Sequence, residues 1–180
     1  MSRGDLKNDR PQSFLEIFNQ YQERIFNFVF RMTQDRYLSE DLTQEVFLKV
    51  YRKEPALKAH PNLSGWIFRI ARNLSLNALR NESSKISHEN YIRNESQEAG
   101  LRINQPDYDL IARETSQSVK NAIGELNGSQ REVLILREYH DFTYQEIAEI
   151  TQSSVSAVKS LLFRARESLR KKLNNQEKIL

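Results

Sequence analysis

An all-α fold of two small helical domains is predicted by three features of this sequence. The 180 residues contain only five glycines and four prolines, few punctuators for a chain of this length. Apolar residues recur at spacings of three and four wherever a pattern is clear, and the alternation that a half-buried strand needs is almost absent. A polar stretch of mixed charge and no sustained period, from about Asn81 onward, divides the apolar segments into two groups. The expected organisation is a domain over residues 10–82, a flexible linker over 83–106 and a second domain over 107–175 that ends in a helix-turn-helix. A hydrophobic content of 38% suffices for compact cores, with the polar stretch dividing them.

The elements follow in order. A first helix runs from about Ser13 to Gln34, with Phe14, Ile17, Phe18, Tyr21, Ile25, Phe28 and Val29 in one stripe. A second starts near Ser39, whose hydroxyl suits a cap, with Glu40 and Asp41 in the electropositive first turn, and continues to about Lys53. Pro55 and Pro61 then enclose a loop. Ser64 opens a third helix, with Ile67, Ile70, Ala71, Leu74 and Ala78 as its buried positions. Beyond the polar stretch, a helix is expected from about Asp107 to Leu126. Two capping boxes, Ser129 with Glu132 and Thr143 with Glu146, mark the next two helix starts. Ser153 or Ser154 caps a last helix that reaches about Asn174.

Composition also excludes. Without cysteine there are no disulfides and no thiolate metal sites. The N-terminal MSRGDLKNDRP lacks the apolar run of a signal peptide, and no apolar segment approaches the roughly 20 residues that span a bilayer, so a cytoplasmic protein without direct membrane insertion is expected. His60, His88 and His140 stand apart in the sequence, the first two read as loop residues facing solvent and the third as a helix end. No Ser/His/Asp pattern and no glycine-rich phosphate loop accompanies them, so neither enzymatic activity nor a metal or other cofactor is expected.

Charge is informative by its position. From Thr151 to Leu180, seven Lys or Arg stand against Glu167 and Glu177. Along the last helix Val155, Val158, Leu162, Ala165 and Leu169 form the inward stripe, whereas Ser156, Lys159, Ser160, Phe163 and Arg164 fall on another face. That second face lies toward the N-terminal half, where a helix-turn-helix presents its reading side chains. A phenyl ring there meets a thymine methyl or a sugar, and the cations reach base edges or phosphates. The preceding helix supports it with Ile147, Ala148 and Ile150, the small Ala148 permitting close approach. The pattern reads as DNA binding, or alternatively as a helical hairpin for protein contacts.

Two faces of the first domain also stand out. With Leu42, Val46 and Val50 inward, Asp41, Gln44, Glu45 and Leu48 share one exposed face of the second helix. It is either a solvated surface or a docking face for a partner carrying arginines. On the third helix Arg69, Asn73, Asn77 and Arg80 line the side opposite the buried stripe, suited to hydrogen-bonding bases and phosphates. Trp66 reads as a core residue or as a base-stacking one.

Taken together, EDLTQEVFLKVY, GWIFRIARN, LNGSQREVLILREYHDFTYQEIAEI and VSAVKSLLFRARESLRKKL, in this order and separation, resemble the extracytoplasmic-function sigma factors, small bacterial RNA polymerase initiation subunits. The resemblance covers both domains. It implies that Asp41, Gln44 and Glu45 contact a coiled coil of the largest subunit of core RNA polymerase, and that the second domain docks on the flap of the second-largest. It implies that the third helix reads the minus-ten promoter element as flipped-out single-stranded bases, with Asn73 at a base-contacting position and Leu57 in the supporting loop. It further implies that Arg137, Lys159, Ser160, Phe163 and Arg164 read the minus-thirty-five element in duplex DNA, that Arg166 meets its backbone, and that an anti-sigma factor restrains the protein. The chain departs from many relatives at Ser156 and Ala157, where they have Gly-Thr, and at Leu161, where they have a basic residue; the last removes a possible phosphate contact. The rival reading is a conventional helix-turn-helix regulator whose first domain dimerises or binds a ligand.

Overall fold

The computed structural model describes residues 13–57, 61–89 and 118–177, and among them every regular element is a helix. The first three are α1 (Phe14–Thr33), α2 (Arg36–Leu57) and α3 (Leu63–Glu89). A short helical stretch over residues 118–124, α4, precedes α5 (Gly128–Glu138), α6 (Tyr144–Thr151) and α7 (Val155–Glu177). The expected helix start at Asp107 lies outside the described residues.

Helix α1 forms where the apolar stripe predicts it. Ser13 caps it in a capping box with Glu16, and Ile17, Tyr21, Ile25, Phe28, Val29 and Met32 are buried. Each such side chain contributes about 1.5 to 3 kcal/mol relative to exposure. Gln34, in the left-handed conformation, ends the helix, its N–H bonding the carbonyl of Phe30.

Three helix starts differ from the expectation. Helix α2 begins three residues early because Asp35, not Ser39, caps it: the Leu38 N–H donates to Asp35 Oδ1 at 2.9 Å. Ser39 is instead buried inside the first turn, its hydroxyl bonded to the Asp35 carbonyl and, at 2.9 Å, to Thr33 Oγ1. Helix α3 is capped by Asn62 rather than Ser64, through the Gly65 N–H at 2.9 Å. A Cβ at Gly65 would come within 2.7 Å of the Asn62 side-chain amide, so a larger residue there would displace the capping side chain. Helix α5 is capped by Asn127, whose Oδ1 accepts from the Gln130 N–H at 2.9 Å, so the Ser129–Glu132 box does not form. The other two caps are as expected, Thr143 with Glu146 on α6 and Ser154 on α7.

Helix ends differ as well. Helix α2 runs through Pro55 to Leu57, losing one backbone donor in its last turn. Helix α3 continues to Glu89, past the expected linker start, because no glycine or proline interrupts residues 81–89. His88 therefore lies in a helix and not in a loop, while His60 lies outside the described residues.

Helices α1, α2 and α3 pack on one another as a three-helix domain, and α5, α6 and α7 as a second. The polar stretch does not divide the core as expected. One continuous buried cluster takes in Phe28, Val46 and Phe68 from the first domain and Leu136, Phe142, Ile147 and Leu162 from the second. Helix α3 lies against α6, and α1 against α5. Phe68 and Phe142 meet edge-to-face at 4.9 Å, with His140 placed 4.8 Å from Phe68 and 5.9 Å from Phe28.

Candidate functional site

The structure brings the proposed side chains onto three faces. On α2, Leu42, Val46 and Val50 are buried, together with Phe47, and that rotation leaves Asp41, Gln44, Glu45 and Leu48 exposed in a row. Glu45 pairs with Lys49 at 3.3 Å, a solvated i,i+4 contact worth a few tenths of a kcal/mol that does not neutralise the face. Beside the row, between α1 and α2, lies a groove of about 390 Å³ floored by Phe18, Phe26 and Phe47 and rimmed by Glu23, Glu40 and Gln44. An apolar floor with an acidic rim suits an apolar anchor flanked by cations.

On α3, Ile67, Phe68, Ala71 and Ser75 are fully buried while Ile70, Leu74 and Ala78 are only half-buried. Asn73, Asn77 and Arg80 are exposed on the opposite side, as the spacing predicts. Arg69 is not fully with them: it is half-buried, and its Nε is sealed from solvent with no hydrogen-bond partner. Trp66 is half-buried against the core. Leu57 is the last residue of α2, and residues 58–60 of the loop that follows lie outside the described residues.

Helix α7 carries the third face. Val158, Leu162 and Ala165 are buried, packed on α5 and α6, with Ala148 buried at the crossing. Ser156, Lys159, Ser160, Phe163 and Arg164 all point outward, and Phe163 is 68% exposed. The phenyl ring thus stands exposed on the same face as Lys159 and Arg164 rather than packed in the core. Arg166 is exposed but paired with Glu138 at 2.6 Å. Arg137 is turned partly inward: Nη1 donates to the Phe142 carbonyl at 2.9 Å, and the guanidinium lies 5.2 Å from the Tyr144 ring centroid. Among the described residues no three His, Cys, Asp or Glu side chains gather as a metal site would need.

Comparison with known proteins decides the family. Residues 17–85 match the family model of sigma-70 region 2, and residues 116–169 that of sigma-70 region 4. The chain is 30% identical over 161 residues to the RNA polymerase sigma factor YlaC of Bacillus subtilis, an alignment spanning 89% of this chain and 92% of that one. The chain belongs to the extracytoplasmic-function sigma factors. This sigma factor is also 30% identical to the sigma-E factor of Escherichia coli, over 96% of its own length and 90% of the other's. Its fold resembles that of the sigma factor RpoE solved in complex with the anti-sigma factor NepR from Bartonella quintana, with a TM-score of 0.74 at 24% identity, over 91% of this chain and 98% of that one. A sigma factor is a non-catalytic subunit that directs RNA polymerase to promoters, and two of the three faces of this one lie in the matched region 2 while the third lies in region 4.

Contacts that the sequence pattern does not reveal join the two regions of this sigma factor. Arg72 of α3 makes a bidentate pair with Glu132 of α5, Nε to Oε2 at 2.8 Å and Nη2 to Oε1 at 3.2 Å, with the two side chains only 16% and 4% exposed. Glu132 is missing from the capping box because it is spent here. Arg131 reaches across to the C-terminus of α1, Nη1 donating to the Met32 carbonyl at 2.6 Å. Its Nη2 donates to the carbonyls of Gly124 and Leu126, and burial lowers the pKa of the guanidinium. These partners are 60 and 99 residues apart, beyond any local pattern.

Proposed function

We propose that this sigma factor binds core RNA polymerase through the α2 face of Asp41, Gln44, Glu45 and Leu48, applied to a coiled coil of the largest subunit, and that its second domain docks on the flap of the second-largest. Helix α3 reads the minus-ten element as extruded single-stranded bases with Asn73, Asn77, Arg69 and Arg80, and Leu57 supports the preceding loop. Capture of an extruded base offsets the few kcal/mol that melting costs. Helix α7 reads the minus-thirty-five duplex with Ser156, Lys159, Ser160, Phe163 and Arg164, with Arg137 and Arg166 at its flank. The two domains are the units expected over 10–82 and 107–175, joined by the stretch between them, of which residues 83–89 continue α3. The protein acts in the cytoplasm without enzymatic activity or cofactor, and an anti-sigma factor restrains it by covering the docking faces. RpoE of Bartonella quintana was solved in complex with the anti-sigma factor NepR, and CnrH in complex with the cytosolic domain of CnrY.

The observation that supports this reading most directly is the exposed Phe163 set among Lys159, Ser160 and Arg164 on the outer face of a helix-turn-helix. The test is run-off transcription with purified core enzyme on fragments selected for binding. Transcripts of defined start, abolished or reduced at least tenfold by Asp41→Arg, are expected. A stable dimer that binds duplex DNA tightly and never redirects core enzyme would point instead to a conventional regulator.

A further inference from the structure

Helix α7 carries its cations in two groups that the fold treats differently. Lys159 and Arg164, within the reading set, are exposed, and among the described residues neither is held in an ion pair. Three that are held lie beyond that set. Arg166 is paired with Glu138 of α5, Nη2 to Oε1 at 2.6 Å, Arg170 with Glu167 at 3.0 Å, and Lys172 with Glu125. Lys171 is exposed as well, two turns beyond Arg164. The positive charge nearest Phe163 is thus open to a partner, while most of that behind it is masked by carboxylates.

Arg166 stands at the boundary between the two groups. Seven residues after Lys159 and three after Phe163, it points along nearly the same line, about 10 Å further down the helix, which places it beside any duplex seated on those two. Its pair with Glu138 does little for stability, because the two side chains are 52% and 46% exposed and water screens them. The larger effect is on outward charge: a cation that could approach a phosphate becomes a neutral pair whose carboxylate repels one. Glu138, and after it Tyr144 of α6, hydrogen-bonds Arg166 and raises its pKa. Arg137, the other arginine at this flank, is engaged with the Tyr144 ring and the Phe142 carbonyl.

We propose that Glu138 is a specificity-determining residue that withholds Arg166 from DNA phosphates, so that duplex affinity rests on side chains able to reach base edges and not on sequence-independent charge. The inference rests on the duplex reading by α7 proposed above. Phosphate contacts supply affinity without sequence information, and base-edge contacts supply the discrimination. Because a genome offers a vast excess of non-specific sites, keeping the first kind of contact small leaves more of the protein at its promoters.

Binding of the full chain with core RNA polymerase is measured by fluorescence anisotropy over a range of salt concentrations, on a duplex selected for binding and on its scrambled counterpart. Glu138→Gln frees Arg166 for one phosphate. The slope of log affinity against log salt then steepens by about 0.9, and at about 0.15 M salt counterion release alone raises affinity roughly fivefold, equally on both duplexes. In an Arg166→Ala background the same substitution changes affinity by less than about twofold, which separates release of Arg166 from the simple loss of a negative charge. Unchanged or weaker binding by Glu138→Gln, or a gain that persists without Arg166, overturns the role of Glu138 and leaves the reading face standing. A wild-type complex that binds both duplexes alike overturns the minus-thirty-five reading itself, and the role of Glu138 with it.

Discussion

Acidification will weaken the closed fold through His140. Its ring packs edge-to-face against Phe28 and Phe68, the latter also meeting Phe142, and Nε2 is buried with no hydrogen-bond partner among the described residues. Burial, together with the positive charges of Arg24 and Arg31 on α1, pushes its pKa down from 6.5 to about 3. Arg24 lies 5.5 Å from the Phe68 ring centroid and Arg31 4.1 Å from that of Tyr139, so both cations border the box. Between these pH values the unfolded chain binds a proton that the folded chain refuses, so stability rises with pH. The contribution is complete above pH 6.5 and is lost as pH falls through 6.5 toward 3. The loss amounts to about 1.4 kcal/mol at pH 5.5 and about 2.7 kcal/mol at pH 4.5. Urea unfolding of wild type and His140→Phe at pH 7.5, 6.5, 5.5 and 4.5 isolates it, because the carboxylates common to both cancel in the difference. The wild type should lose stability relative to the variant by about 1.4 kcal/mol per pH unit below 6. A difference that stays constant from pH 7.5 to 4.5 would refute the burial of a neutral His140 between the two domains.

Two further predictions concern the α7 face and the α5 cap. Arg164→Ala costs about 1 to 3 kcal/mol of minus-thirty-five recognition; equal discrimination between matched and scrambled elements by wild type and variant in a promoter-fragment binding assay would count against its role. Asn127→Ala costs about 1 kcal/mol of stability, a fall in Tm of about 2 to 4 °C, whereas Ser129→Ala leaves Tm unchanged. The reverse order in thermal melts would restore the cap that the sequence suggests.

Much was legible without coordinates because it is local. The stripe of α1, the inward set Leu42, Val46 and Val50, and the outward set Lys159, Ser160, Phe163 and Arg164 all follow from a period of 3.6, which residues a few positions apart decide among themselves. The Thr143–Glu146 box formed for the same reason. Errors clustered where two local solutions compete. Asp35, Asn62 and Asn127 took the caps assigned to Ser39, Ser64 and Ser129, since each chain segment offers several oxygens within one turn and packing selects which turn begins the helix.

Sequence alone therefore determined the all-helical class, the order of the helices, the exposed faces of α2 and α7, and the family. Tertiary structure alone decided that the two domains share one core, that Glu132 leaves its own helix terminus to hold Arg72, that Arg131 binds the end of α1, and that His140 is buried neutral. The reason is physical: a helix face depends on neighbours three and four residues away, whereas a buried ion pair spanning 60 residues forms only when folding removes both charges from water and leaves each the other as its partner.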